Sequence, residues 1–168
     1  PKIAPVQVVI IPIANTGGEE IVSKAQALAK QLVGLSVEVD SRETLRPGEK
    51  FYEWEKKGVP IRIEIGPKDL QKNSVILVRR DTGDKESCPM DQVEKRTSEI
   101  LQAIQSGLFA AALKRREESN KTADSWPEFT AALAQGGYVF SYFCGEEGCE
   151  AEIKAKTKAV SRFLPFHA

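Results

Sequence analysis

The stretch PVQVVIIPI, residues 5–13, is an apolar, β-branched run interrupted only by Gln7. A strand with one wet face alternates apolar and polar side chains, whereas a run without a polar face has to be covered on both sides. The run therefore predicts a strand buried on both faces and lying centrally in a sheet. After ANTGG, the residues Ile21, Ala25, Leu28 and Leu32 recur at helical spacing, and Gly34 follows as a stop, which predicts an amphipathic helix over 18–33. LSVEVD then reads as a short strand over 35–40. Strand, helix and strand at this spacing imply a parallel βαβ unit with a right-handed crossover.

The segment GEKFYEWEKKGVPIRIEIGPKDL, residues 48–70, divides at Gly58 and Pro60. Pro47 suits the first turn of a helix, Phe51 and Trp54 are neighbours three apart, and Gly58 supplies a left-handed cap, so 48–57 reads as a short helix. PIRIEIG alternates strictly and predicts a half-buried strand, with Ile61, Ile63 and Ile65 inside and Arg62 and Glu64 outside. SVILVRR is a further strand, and DTGD turns it into KESC as a hairpin, so the sheet is expected to be mixed. Asp91 and Glu94 then open a long helix, whose stripe of Val93, Thr97, Ile100, Leu101, Ile104, Leu108, Ala111 and Ala112 carries it to about residue 118. KRREESNKTAD reads as a linker. Beyond it, Ser125 and Glu128 cap a short helix ending at Gly136 and Gly137, YVFSYFC is strand-like, EEGCEAEIKAKTKA helix-like and VSRFLPF strand-like, a small α+β appendage.

Lys plus Arg and Asp plus Glu number 24 each, so any basic footprint is local rather than global. No run of 18 apolar residues occurs, and the amino-terminal stretch lacks a charged start and a small-residue cleavage site, from which no membrane partner and a cytoplasmic location are expected. The first residue is Pro1, from which a segment of a longer polypeptide is expected. The single histidine, His167, assembles no catalytic triad, and phosphate-loop, dinucleotide and zinc-hydrolase motifs are absent, which argues against chemistry within the segment and predicts no catalytic residue.

Two residue sets point to recognition instead. Glu55, Arg62, Lys68, Asp69, Arg79, Arg80 and Lys85 are expected at the carboxyl ends of the strands, where open α/β sheets bind ligands. Carboxylates mixed with arginine and lysine suit the edges of unstacked bases, because guanine offers acceptors at O6 and N7 and donors at N1 and N2. Phe51, Tyr52 or Trp54 could stack on a splayed base. The same charges would serve equally as a solvated face over a core of Phe51 and Trp54. In the second set, Cys144 and Cys149 form a C-x4-C turn, half of a tetrahedral zinc site for which only Cys88 and His167 remain, or a pair of reduced thiols.

The segments IAPVQVVIIPI, RPGEKFYEWEKKGVPIRIEIGPKDL, SVILVRRDTGDK and FCGEEGCE…TKAVSRFLPF together resemble the carboxyl-terminal part of the prolyl-tRNA synthetases, class II aminoacyl-tRNA synthetases, in the form typical of archaea, eukaryotic cytosol and some bacteria. The resemblance implies an α/β fold, a mixed five-stranded sheet flanked by helices over residues 1–104, and a small α+β C-terminal domain over 105–168. It implies binding of tRNA(Pro), with the readers of the two anticodon guanines falling on Glu55, Arg62, Lys68, Asp69 and Lys85, and Arg80 beside them. It further implies a homodimeric parent enzyme that uses ATP and magnesium at a site absent from this segment. In that family the C-x4-C pair joins a later cysteine pair around zinc. This chain has no such later pair before Ala168, and Phe163 stands where many relatives have a cysteine, so the segment is expected to hold zinc weakly or not at all and the full-length protein to hold one zinc if its tail restores a cysteine pair. A free-standing paralogue acting as a regulatory or subunit-interaction module is the alternative. With Arg62 and Glu55 assigned to base reading, replacing either by alanine is expected to leave thermal stability nearly unchanged.

Overall fold

In the computed structural model, which describes residues 4–13 and 18–162, the apolar run forms β1 (Val8–Pro12), with all five residues buried. The chain continues through α1 (Glu19–Gln31), β2 (Val37–Val39), α2 (Pro47–Lys56), β3 (Ile61–Ile65), a short α3 (Pro67–Gln71), β4 (Ser74–Arg79) and β5 (Lys85–Pro89). The strands form one sheet in the order β2-β1-β3-β4-β5. β1 runs parallel to both β2 and β3, while β4 is antiparallel to β3 and β5 to β4. The sheet is mixed because the β1-α1-β2 crossover brings its second strand back in the same direction, whereas Gly83 at φ +76 closes a tight β4-β5 hairpin.

Strand alternation distributes the core over two faces. On one, Val8, Ile10, Ile61, Ile63, Ile65, Val75 and Leu77 pack against Ile21, Ala25 and Leu28 of α1, and against Val93, Ile100 and Ile104 of α4 (Val93–Ser119). On the other, Val9 and Ile11 meet Val59 with Phe51 and Trp54 of α2. Each buried aliphatic side chain contributes about 1.5–3 kcal/mol of transfer free energy, which makes β1 and β3 the centre of this unit.

Two expectations need correction. β3 is not half-buried: all five residues are covered, Arg62 and Glu64 included, because it lies between β1 and β4 with protein on both faces. β3 ends at Ile65, and Gly66 leads into the next element. Pro67 opens α3, and the Asp69 carboxylate accepts the backbone N–H of Gly66 at 2.9 Å. The apolar stripe of α4 is buried only as far as Ile104, and Leu108 and Phe109 are exposed.

The chain divides into two units, residues 1–108 and 109–168. In the second, the expected linker is ordered: α4 continues to Ser119, and Asn120–Ala123 forms β6, paired in parallel with β7 (Tyr138–Ser141). α5 (Trp126–Ala134) makes the crossover, and α6 (Glu147–Thr157) follows. The polar residues of β6 fit a strand because Lys121 turns its ammonium onto the carbonyls of Ala132 and Gly136, at 3.3 and 2.8 Å, closing the end of α5. Residues 160–162 form no strand, and the remainder of VSRFLPF, with Phe163 and His167, lies outside the described residues. Among the described residues no helix is long and apolar enough to cross a membrane.

Gly137 marks the tightest point of this unit. Its φ is +94, and a Cβ there would stand 2.3 Å from the Ser119 carbonyl oxygen. Gly137→Ala is expected to lower the stability of the second unit by about 1–3 kcal/mol, read as an earlier loss of amide protection in β6 and β7 with the first unit unaffected.

Candidate nucleic-acid interface

Sheet register brings the charged residues of β3 and β5 to one face. Arg62 lies opposite Val78, which lies opposite Lys85, and Glu64 follows the same row through Ile76 to Ser87. The Arg62 guanidinium donates from Nη1 to Glu55 Oε1 and from Nε to Glu64 Oε1, each at 2.9 Å, and its plane lies 4.1 Å from the Phe51 ring centroid. Lys85 Nζ stands 3.7 Å from the same Glu64 oxygen. The group is graded in depth: the side chains of Arg62 and Glu64 are 9% and 11% exposed, those of Glu55 and Lys85 52% and 56%. Arg80 joins Glu55 and Arg62 around a small cleft floored by Val9, Trp54, Val59 and Val78. Arg62 therefore does not point out to solvent, as the alternation of PIRIEIG implied. A guanidinium with two carboxylates and an aromatic face is a satisfied buried cation, and it holds Glu55 at the rim.

The expected single cluster at the carboxyl ends of the strands is two patches. Because β4 runs against β3 and β5 runs with it, Arg80 just past the end of β4 and Lys85 at the start of β5 lie beside the amino end of β3, with Glu55 and Arg62. Lys68 and Asp69 lie past the carboxyl end, the length of a five-residue strand away, roughly 13–17 Å. There Asp69 spends Oδ2 on the Gly66 N–H, and Lys68 is exposed. Arg79 belongs to neither patch, since Asp81 takes its Nε and Nη2 at 3.1 and 2.8 Å within the hairpin.

The helix that presents Glu55 is anchored by residues the sequence reading did not single out. Asp40, just past β2, has a side chain 1% exposed. It accepts Arg42 Nε and Nη2 at 2.9 and 2.7 Å and the Trp54 indole N–H at 2.8 Å, while Lys50 Nζ reaches its carbonyl at 3.1 Å. The Arg42 guanidinium, with the Trp54 N–H adding to it, holds the Asp40 carboxyl far below the usual carboxylate range against the opposing effect of burial. Arg42 also reaches Glu53, which takes Lys57 in turn, and Lys57 lies 4.3 Å over the Trp54 ring. The available sequence signal was the need of a half-buried tryptophan for an acceptor, with the carboxylate ending VEVD as a candidate.

In the second unit, Cys144 and Cys149 are both exposed and line one cleft. The neighbouring Cys149 side chain holds the Cys144 thiol below its ordinary value, and Cys144 in turn holds Cys149 above its own. Among the described residues no three His, Cys, Asp or Glu side chains are grouped to hold a metal ion, and the pair supplies two of the four ligands a structural zinc takes. Cys88 is buried in the first unit, and burial pushes its thiol up.

The sequence pattern of the family described as Anticodon binding domain matches residues 7–100, the span that contains the whole sheet and both charged patches. The chain belongs to the anticodon-binding domain family. Residues 126–168 match a second pattern, described as Prolyl-tRNA synthetase, C-terminal. The chain is similar to the proline–tRNA ligase of Oceanobacillus iheyensis, 43% identical across 99% of this chain and 34% of that protein. It is similar to proline–tRNA ligase 2 of Clostridioides difficile, 42% identical across 99% and 35%, and to the proline–tRNA ligase of Porphyromonas gingivalis, 38% identical across 99% and 35%. The chain thus spans about a third of the length of the curated relatives it matches. These relatives are bacterial, which gives no support to the expected archaeal and eukaryotic form.

Two outcomes test this geometry. Arg62→Ala leaves Glu64 buried without its principal partner, so it is expected to cost about 3 kcal/mol in chemical denaturation, while Glu55→Gln, at the rim, costs less than about 1 kcal/mol. This reverses the expectation that stability would be indifferent to Arg62. For Asp40 the folded-state pKa is depressed, so its contribution is present above the unfolded value and is lost as pH falls below it. The stability gap between the parent chain and Asp40→Asn should be full at neutral pH and shrink only below about pH 4, measured by thermal unfolding across pH.

Proposed function

We propose that this chain is the anticodon-reading part of a proline–tRNA ligase and that its nucleic-acid partner is tRNA(Pro). The observation that carries the reading is the two-signed patch on the sheet face of an anticodon-binding domain, where Glu55, Lys85 and Arg80 stand exposed around a buried Arg62–Glu64 floor. Phosphate binding alone would call for cations; a base edge with both donors and acceptors calls for both signs.

In this reading Glu55 accepts the N1 and N2 hydrogens of a guanine through Oε2, Oε1 being held by Arg62. Lys85 and Arg80 donate to O6, N7 or a nearby phosphate. Arg62 fixes the Glu55 carboxylate and offers its remaining N–H groups at the cleft. Lys68, with the free Asp69 oxygen, serves the second guanine from the α3 patch. The aromatic platform is Tyr52, 69% exposed and three residues before Glu55 on α2, since Phe51 is already covered by Arg62. Proline activation with ATP and magnesium belongs, on this proposal, to the two thirds of the parent outside this chain, and the parent is a cytoplasmic homodimer. On this proposal the parent is a form of the enzyme that carries such a C-terminal unit, a reading that the match of residues 126–168 supports.

Filter binding with proline anticodon stem-loops tests the reading. Replacing either anticodon guanine should weaken binding roughly 5- to 150-fold, and Glu55→Gln should remove most of that discrimination at one of the two guanines. Tyr52→Ala should weaken all stem-loops by about 1–3 kcal/mol, and affinity should fall with salt. Equal binding to stem-loops with and without the guanines would overturn it. ATP–pyrophosphate exchange by the chain alone should stay at background.

A further inference from the structure

Between the two charged patches the sheet face carries a row that guanine reading leaves unused. Ile11, Glu64, Ile76 and Ser87 lie side by side across β1, β3, β4 and β5, roughly 7 Å along β3 from the row of Arg62, Val78 and Lys85. α2 packs over Val9 and Ile11 at the β1 side of this face; beyond it Ile76 is half-buried and Ser87 exposed. The Glu64 side chain is 11% exposed, and both of its cations approach the same oxygen: Arg62 Nε stands 2.9 Å and Lys85 Nζ 3.7 Å from Oε1. Among the described residues Oε2 has no donor, yet the side-chain atoms sealed from solvent without a partner are Ser74 Oγ and Thr97 Oγ1, so Oε2 opens onto the face. Neutralising Arg62 accounts for Oε1 and leaves Oε2 as an acceptor held in place by its neighbour.

The chemistry of an RNA strand narrows what that oxygen meets. A strand that reaches from the Glu55 patch to the Lys68 patch passes over this row, with its guanines engaged at the two ends. A carboxylate repels its phosphates, and the donor that the backbone carries between bases is the ribose 2′-hydroxyl. We propose that Glu64 and Ser87 form a ribose site, an inference that rests on the tRNA(Pro) reading above. The 2′-hydroxyl donates to Glu64 Oε2 and accepts from Ser87 Oγ, and the sugar carbons lie on Ile76. DNA has no donor at that place, so the row selects RNA over DNA of the same sequence while the guanine contacts select the sequence.

The test is filter binding of the whole chain to proline anticodon stem-loops that carry one 2′-fluoro sugar at each loop position in turn. Fluorine keeps the ribose pucker but donates no hydrogen bond. At one position the substitution should weaken binding about 5- to 30-fold, and at the others less than about twofold. In Glu64→Gln, whose neutral amide is the weaker acceptor, the penalty at that position should fall below about threefold. The comparison is the ratio of fluoro to hydroxyl stem-loop on each protein, so a general loss of affinity through Arg62 cancels. Ser87→Ala, at an exposed side chain, should lower the same penalty at least about twofold with thermal unfolding unchanged, which decides the matter if Glu64→Gln does not fold. A penalty spread evenly over the loop, or one equal in the parent chain and both variants, would overturn the proposal. Guanine replacements in the same series separate the two readings: guanine discrimination without any 2′ effect removes the ribose site alone, whereas absence of both removes the base reading beneath it.

Discussion

The Arg62 guanidinium is where the fold of the first unit and its candidate interface become one problem. β3 is buried on both faces, so a cation within it has to be neutralised and its donors paired, or the strand could not occupy that place. Glu64 on the same strand and Glu55 on α2 supply the pairing, and Phe51 supplies a flat surface beneath it. The need of one buried charge thereby fixes where α2 stands over the sheet and which way Glu55 faces. The Asp40 cluster fixes the same helix from its other side, through Trp54 and Lys50, so the rim carboxylate sits on an element held at two points.

Local patterns were legible wherever a single period decided them. The spacing of Ile21, Ala25, Leu28 and Leu32 gave α1 because all four side chains are buried, and Gly58 at φ +79 ends α2 where a left-handed residue was required. Alternation in PIRIEIG sorted its side chains between the two faces of the sheet. It could not say whether the second face was wet, because that depends on Phe51 and Glu55, which approach from a helix, and on β4. A polar residue in an alternating strand marks a face, not its exposure.

Non-local geometry was the less legible part. Sequence alone puts the charged residues in one cluster because it treats all strand ends alike, whereas antiparallel pairing puts the end of β4 beside the start of β3. The polar stretch before α5 read as a linker on composition, yet Asn120–Ala123 pairs with β7 and Lys121 satisfies two helix-end carbonyls. Asp40 carries no local signal, because a carboxylate at the end of a short strand is ordinary and only the fold brings the Trp54 N–H, fourteen residues on, to it.

The separation of the two charged patches along β3 has a consequence for how a ligand is held. Neither patch is large, and on the proposed reading each alone would offer a weak, fast-exchanging foothold. A polymer that reaches both makes its second contact intramolecularly, at an effective concentration set by the length and stiffness of the piece between them. A piece too short to span the strand gains nothing from the far patch, and one much too long gains little. On the proposed reading, the spacing would act as a ruler, selecting partners by the distance between their contact groups as well as by the chemistry of each.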